Sequence, residues 1–164
     1  MRNPQIPMDN AVMRISARAD YAVRAAAELA ASDQDGPVRA EALATAQSIP
    51  YRFLEGILSD LRRDGIVVSQ RGAGGGYRLA RPATQVTIAD VIRAVDGPLV
   101  FVRGTRPSDL EYQGAAAPLL RVWVALRANV RMVLEEVTLA DLVTDGLPEQ
   151  VRLLVQSEEA WENA

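Results

Sequence analysis

The chain contains no cysteine and no histidine, and all 18 of its basic residues are arginine. These absences remove whole classes of chemistry. Without imidazole or thiol there is no general base titrating near neutral pH, no sulfur nucleophile and no soft metal ligand. Reversible thiol oxidation is excluded with them. Carboxylates remain, but Glu135-Glu136 and Glu158-Glu159 are sequence neighbours that diverge on a helix, which suits a solvated surface better than an acid/base pair. The sequence is therefore not read as an enzyme. A run of eighteen apolar residues is also missing, as is a charged leader followed by an apolar stretch. Neither a membrane span nor a secretory signal is expected, and a cytoplasmic location is.

At 164 residues and 49% hydrophobic content the chain suffices for one domain with a sizeable core, or one domain plus an oligomerisation arm. Its net charge of -3 is unevenly spread: residues 13–81 carry ten arginines against eight acids, a net of +2, whereas residues 82–164 carry seven against twelve, a net of -5. An excess that small attracts phosphate only if the arginines gather on one face. Arginine keeps its charge and offers a planar fork to phosphate or guanine, although an all-arginine complement also follows from genomic base composition.

The most informative stretch is Gly65-Ile66-Val67-Val68-Ser69-Gln70-Arg71-Gly72-Ala73-Gly74-Gly75-Gly76-Tyr77-Arg78-Leu79. Val67-Val68 and Tyr77-Arg78-Leu79 have the β-branched and aromatic character of paired strands, and the glycines between them permit a tight reversal. The stretch reads as the wing of a DNA-binding domain, with an ordinary surface hairpin as the alternative. A nucleotide phosphate loop does not fit. Gly72, Gly74, Gly75 and Gly76 match neither the dinucleotide spacing nor the P-loop, which also needs the lysine that this chain lacks.

The preceding segment reads as two helices and a turn. Gly36-Pro37 breaks the chain, Ala40, Leu43 and Ala44 give one short helix an apolar side, Gln47-Ser48-Ile49 forms a turn, and Pro50 opens a helix over 50–64. Phe53, Leu54, Ile57, Leu58 and Leu61 recur at helical spacing as its buried stripe, leaving Arg52, Glu55, Gly56, Ser59 and Arg63 outside. A helix-turn-helix presents the N-terminal part of its second helix to base edges, so Tyr51, Arg52 and Glu55 are the expected readers. Gly56 would let the backbone approach closely. A helix hairpin alone is easily imitated by an amphipathic pair; a helix hairpin followed by a wing is not.

These residues resemble a known family. Met13-Arg14-Ile15-Ser16-Ala17-Arg18-Ala19-Asp20-Tyr21-Ala22-Val23, Ile49-Pro50-Tyr51-Arg52-Phe53-Leu54-Glu55-Gly56-Ile57-Leu58, Leu61-Arg62-Arg63-Asp64-Gly65-Ile66-Val67 and Arg71-Gly72-Ala73-Gly74-Gly75-Gly76-Tyr77 look like the Rrf-type winged-helix transcription regulators, whose best-known member is an iron-sulfur cluster regulator. The resemblance runs from Met13 to about Leu142. It implies that Arg71 is the wing arginine entering a minor groove, that Glu55 contacts bases, and that Pro50, Arg52 and Phe53 stand at the head of the recognition helix. Gly72, Gly74 and Gly75 complete the wing tip as DNA-binding candidates. Pro50 and Arg52 replace small hydroxylated residues of the iron-sulfur regulator, so the operator does not follow from the resemblance. The family's cluster-binding cysteines lie in the loop after the short helix, where this chain has Arg103-Gly104-Thr105-Arg106. No cofactor is therefore expected. The Asp96-Gly97-Pro98-Leu99 run resembles the branch that represses cysteine-metabolism genes and senses through a biosynthetic enzyme.

The remaining segments arrange themselves around this unit. Residues 1–12, with Pro4 and Pro7 and no periodicity, are expected to be a flexible N-terminal extension, and Met13 could serve as an alternative start. Ser16 is a plausible N-cap for a first helix whose apolar side is Tyr21, Ala22, Ala25, Ala26 and Leu29. Thr87-Ile88-Ala89-Asp90 forms a capping pattern for a short helix ending at Asp96-Gly97-Pro98, which closes a winged helix-turn-helix domain over 13–97. Residues 98–118 show no period and read as a loop, a candidate sensor. Leu119, Trp123, Leu126, Val130, Val133 and Val137 then follow a heptad pattern, one narrow apolar seam that packs on its own domain, pairs with a second copy, or does both. That seam is the expected dimer interface of a dimerisation helix within 119–142, in which Thr138-Leu139-Ala140-Asp141 starts a further short turn. Gly146-Leu147-Pro148 opens an acidic tail helix in 143–164, reaching towards Trp161, with Val151, Leu154 and Val155 as its docking side.

The sequence thus predicts a mainly α fold with a small β-hairpin: a winged helix-turn-helix domain plus a long dimerisation helix. The expected function is a sequence-specific, homodimeric transcription regulator, a repressor, without an iron-sulfur cluster. Its expected partners are a double-stranded DNA operator, a second copy of itself and a protein or small-molecule effector, with no membrane. The alternative is a winged-helix module that docks a protein or RNA and has no operator of its own, since a fold does not fix a function.

Overall fold

Ser16 supplies what the first helix needs at its start. In the computed structural model, which describes residues 15–99, 102 and 104–162, its hydroxyl accepts a hydrogen bond from the Ala19 amide at 2.9 Å, and α1 runs Ala17–Ala31. The expected extension 1–12, Met13 and Arg103 lie outside the described residues. Ala19, Ala22, Ala25, Ala26 and Leu29 are buried. A face of side chains that small lets neighbouring backbones approach closely, and α1 is the element on which most of the others pack.

The helix-turn-helix follows as α2 (Ala40–Gln47) and α3 (Tyr51–Arg63). Ser48 takes a left-handed conformation (φ 52°) to turn the chain, and Ile49 is buried beneath the turn. In α3 the buried residues are Leu54, Ile57, Leu58 and Leu61; Phe53, expected in that stripe, is 43% exposed. At 3.6 residues per turn Phe53 stands roughly 90° from the centre of the stripe. Its ring lies on the surface, 6.4 Å from that of Tyr21 of α1.

Strands β1 (Val67–Gln70) and β2 (Gly76–Leu79) pair antiparallel, with Val67 opposite Leu79 and Gln70 opposite Gly76. Val38, just before α2, adds a one-residue third strand: its amide donates to the Tyr77 carbonyl at 2.8 Å and its carbonyl accepts from the Tyr77 amide at 2.7 Å. Gly76 makes this possible. A Cβ there would lie 2.5 Å from the Val38 carbonyl oxygen, and its φ of +152° falls outside the range that side chains favour. The β2 edge of the hairpin is thus stitched to the segment leading into the helix-turn-helix.

Helix α4 (Ile88–Asp96) opens on the expected capping box of Thr87 and Asp90, and α6 (Leu139–Thr144) on its counterpart of Thr138 and Asp141. The two caps lie side by side. Ile88 donates to the Val137 carbonyl and Leu139 to the Val86 carbonyl, both at 2.9 Å. Between them α5 (Leu119–Glu136) packs on α4 and on a 3-10 turn at Pro107–Asp109, and none of its residues is fully buried. Leu119, Trp123, Leu126, Val130 and Val133 are half-buried. Val137, read from the heptad as a pairing residue, instead belongs to the chain's own core, 5% exposed, because the α4–α6 stitch draws it inward.

Two segments depart further from expectation. Within the 98–118 segment, residues 107–112 are anchored rather than plain loop: Pro107 and Leu110 are buried, and the Trp123 indole donates to the Tyr112 hydroxyl at 3.1 Å. The tail helix, expected to reach towards Trp161, is α7 at Glu149–Leu154 and ends well before it. Val151 and Leu147 pack on the core, but Leu154, Val155 and Trp161 remain exposed, since a helix so short turns only one side inward.

Asp60 joins α3 to α1 by accepting from Arg18, and to its own helix by pairing with Arg63 at 2.7 Å. The Arg18 hydrogen bond, assisted by Arg63, holds the Asp60 carboxyl below the ordinary carboxylate range. A folded-state pKa below the unfolded one contributes stability above the unfolded pKa and loses it as pH falls. Asp60→Asn should therefore lower Tm at pH 7, and its deficit should shrink as pH drops below about 4; a deficit independent of pH would show that the charge is not what matters. Gly76→Ala should cost about 1–3 kcal/mol of stability in thermal denaturation, whereas Gly74→Ala, with nothing within 4 Å of the added methyl, should be silent.

Candidate DNA-binding face

The head of α3 and the tip of the wing border one shallow cleft of about 250 Å³, lined by Arg39, Glu41, Tyr51, Gln70, Gly72 and Tyr77 among others. Pro50, Tyr51, Arg52, Phe53 and Glu55 are all exposed at the first turns of α3, and Arg71, Gly72 and Gly74 are exposed at the tip. The cleft brings Tyr51 from the first group beside Gly72 and Gly75 from the second. Gly75 differs from the rest. It is buried, its amide donates to the Gly72 carbonyl at 3.0 Å, and a Cβ would lie 2.3 Å from the Gln70 carbonyl oxygen. Its place in the wing is to let the turn close.

Pro50 leaves α3 without a side-chain N-cap. The first amides of the helix and the positive end of its dipole consequently face outwards, an arrangement that favours phosphate oxygens. Arg52 lies over the Phe53 ring at 4.9 Å, and Arg24 over Tyr21 at 5.4 Å, so the two rings and two guanidiniums form a surface layer across α1 and α3. Cation–π contact restrains both guanidiniums; Arg52 keeps its charge unpaired among the described residues, whereas Arg24 also pairs with Asp20 at 3.0 Å. Partial desolvation, with the Glu41 and Glu55 carboxylates close by, raises the Tyr51 phenol above its ordinary value. At neutral pH the phenol is a hydrogen-bond donor.

Sequence reasoning missed Arg39 and Arg78. Arg39 stands in front of α2, and its guanidinium donates to the Ala73 carbonyl at 2.7 Å, tying down the tip of the wing. Arg78 is exposed on β2. Among the described residues Arg39, Arg52, Arg71 and Arg78 have no carboxylate partner, whereas Arg18, Arg63, Arg81, Arg93 and Arg131 do. Of these, Arg39 lines the cleft itself, beside Glu41. Gly56, expected to admit a close backbone approach, instead faces the Arg18 guanidinium at 3.5 Å.

The family model of Rrf2, described as an iron-dependent transcriptional regulator, matches residues 15–145. A Mycobacterium tuberculosis protein provisionally classed as an HTH-type transcriptional regulator is 50% identical over 151 residues, covering 92% of this chain and 94% of that protein. The HTH-type transcriptional regulator IscR of Photobacterium profundum is 34% identical over 140 residues, covering 85% and 80% respectively. Among solved structures, CymR, the global cysteine regulator of B. subtilis, superposes with a TM-score of 0.68 at 32% identity, covering 81% of this chain and 98% of that one. Iron itself does not fit the residues present. Iron and iron-sulfur sites draw on thiolate, imidazole or clustered carboxylate ligands. This chain has neither cysteine nor histidine, and among the described residues no group of three or more acids is placed to hold a metal. Likeness in fold, in wing and over most of its length nevertheless agrees throughout: the chain belongs to the Rrf2 family of transcriptional regulators.

Proposed function

We propose that this DNA-binding transcription regulator acts in the cytoplasm as a metal-free homodimeric repressor. Each protomer sets the head of α3 in a major groove and Arg71 of the wing in the adjacent minor groove. The observation that carries this reading is the cleft shared by the head of α3 and the wing, where Tyr51 lies beside Gly72 and Arg39, with Arg52 and Arg71 exposed on the flanking elements and without a carboxylate partner among the described residues. Arg52, held over Phe53, is aimed at a base edge; Arg39 fixes the wing; Tyr51 donates to a phosphate. Among the described residues no helix is long and apolar enough to cross a membrane.

The dimer reading rests on α5. Val122 is 54% and Met132 36% exposed, and at helical spacing they share a side with Ala125, flanked by the half-buried Leu126 and Val133. Leu119, Trp123 and Val130 are already half-buried within the protomer, which favours the outer edge of the heptad seam as the pairing surface. Two copies joined there would present two recognition helices to half-sites about one helical turn of DNA apart.

Arg52→Ala should weaken operator binding by about 1–3 kcal/mol and relax preference at one base position, measured by titration against single-base operator variants. Arg71→Ala should weaken binding without changing the fold. Unchanged affinity in both would remove the DNA face from this site. A double change, Val122→Glu with Met132→Glu, should yield monomers by light scattering and a much weaker full-operator complex; a stable dimer would move the interface elsewhere.

A further inference from the structure

A second cleft, of about 350 Å³, opens where the end of α4 meets Pro98, Leu99, Arg106 and the middle of α5. Its volume is at the low end of small-molecule sites. Four of the residues lining it are arginines, Arg93, Arg106, Arg127 and Arg131, drawn from three different segments; Pro98 and Leu99 supply an apolar wall. Like charges gather in this way only at a cost unless something offsets them. Glu135 offsets part of it. It accepts from Arg93 and from Arg131 at 3.0 Å, and those bonds, Arg131's first, hold its carboxyl below the ordinary range, so it stays ionised. Arg106 and Arg127 have no carboxylate partner among the described residues. Four positive charges therefore face one negative charge in a concave site.

We propose that this cleft binds a small, multiply charged oxyanion, a metabolite carrying phosphate or carboxylate groups, and that this ligand is the regulator's effector. Guanidinium forks match such oxygens in bidentate fashion, and Pro98 and Leu99 accommodate the uncharged part of the molecule. The position suits an effector. Arg93 belongs to α4 and Arg127 and Arg131 to α5, so a bound oxyanion ties the two helices together. Helix α4 in turn packs on α3, where Arg63 donates to the Ala94 carbonyl at 3.3 Å. A ligand that prefers one α4–α5 geometry changes the separation of the two recognition helices, and hence operator affinity. The effector role rests on the proposed function; the binding site does not.

Titration calorimetry of the full chain with inorganic pyrophosphate and, separately, with citrate in 150 mM sodium chloride tests the site without DNA. Saturable binding of at least one, with one site per protomer, is expected, and the tighter of the two distinguishes phosphate from carboxylate chemistry. Arg106→Gln and Arg127→Gln, which break no ion pair, should each weaken it at least tenfold, whereas Arg152→Gln on the exposed tail helix should not. Absence of saturable binding to either probe, or equal loss in Arg152→Gln, overturns the site. Operator titrations then test the role. The bound probe should shift operator affinity at least fivefold in the parent protein and not in Arg127→Gln. Binding without any shift overturns the effector role, and weaker operator binding by ligand-free Arg106→Gln and Arg127→Gln would make the cleft a DNA contact instead. Failure to retain any duplex specifically, with pyrophosphate or citrate binding intact, would count against the repressor reading and leave the site standing.

Discussion

The alanine face of α1 is the constraint on which the rest of the molecule depends. Because Ala19, Ala22, Ala25 and Ala26 occupy so little space, α2, α3, α4 and α6 all reach the same helix, and their own larger side chains complete the core. One side of α1 thereby fixes α3 relative to the wing, while another fixes α4 and, through it, α5. A larger residue at any of these alanines would separate elements whose spacing defines the DNA face. The recognition surface and the effector cleft are two consequences of one packing solution.

Charge is distributed by the same logic. Two arginines hold helices together through carboxylates: Arg18 with Asp60 across α1 and α3, Arg93 with Glu135 across α4 and α5. Those left without a carboxylate among the described residues include Arg39, Arg52, Arg71 and Arg78 around the wing, and Arg106 and Arg127 at the second cleft. Partly exposed ion pairs contribute little stability each, so their value lies chiefly in orientation. A chain whose net charge is -3 can still concentrate positive charge locally, as at the second cleft, where four arginines converge.

Much of this was legible in the sequence where the determining contacts are local. Ser16, Thr87 and Thr138 announced helix starts because a cap bonds an amide only three residues on, and the glycine-rich reversal announced the hairpin because turn chemistry is local too. The helix-turn-helix was legible from periodicity, and the family from its motifs. What escaped depends on residues far apart. Helical spacing puts Phe53 in the buried stripe, yet it lies at the edge of that stripe on the surface, where Tyr21 and Arg52 flank it. Val137 obeyed the heptad yet serves the core, because Val86 and Ile88 stitch it inward. Arg39 gave no local signal of its bond to Ala73, and the four cleft arginines become neighbours only after folding.

The central claim is that paired recognition helices read a defined DNA sequence. Selection of bound duplexes from a random pool by the purified chain, without added metal or reductant, tests it most directly. The account predicts enrichment of an inverted repeat whose half-sites lie about one helical turn apart. Recovery of sequences with no common motif, or of a single unrepeated half-site, would contradict it.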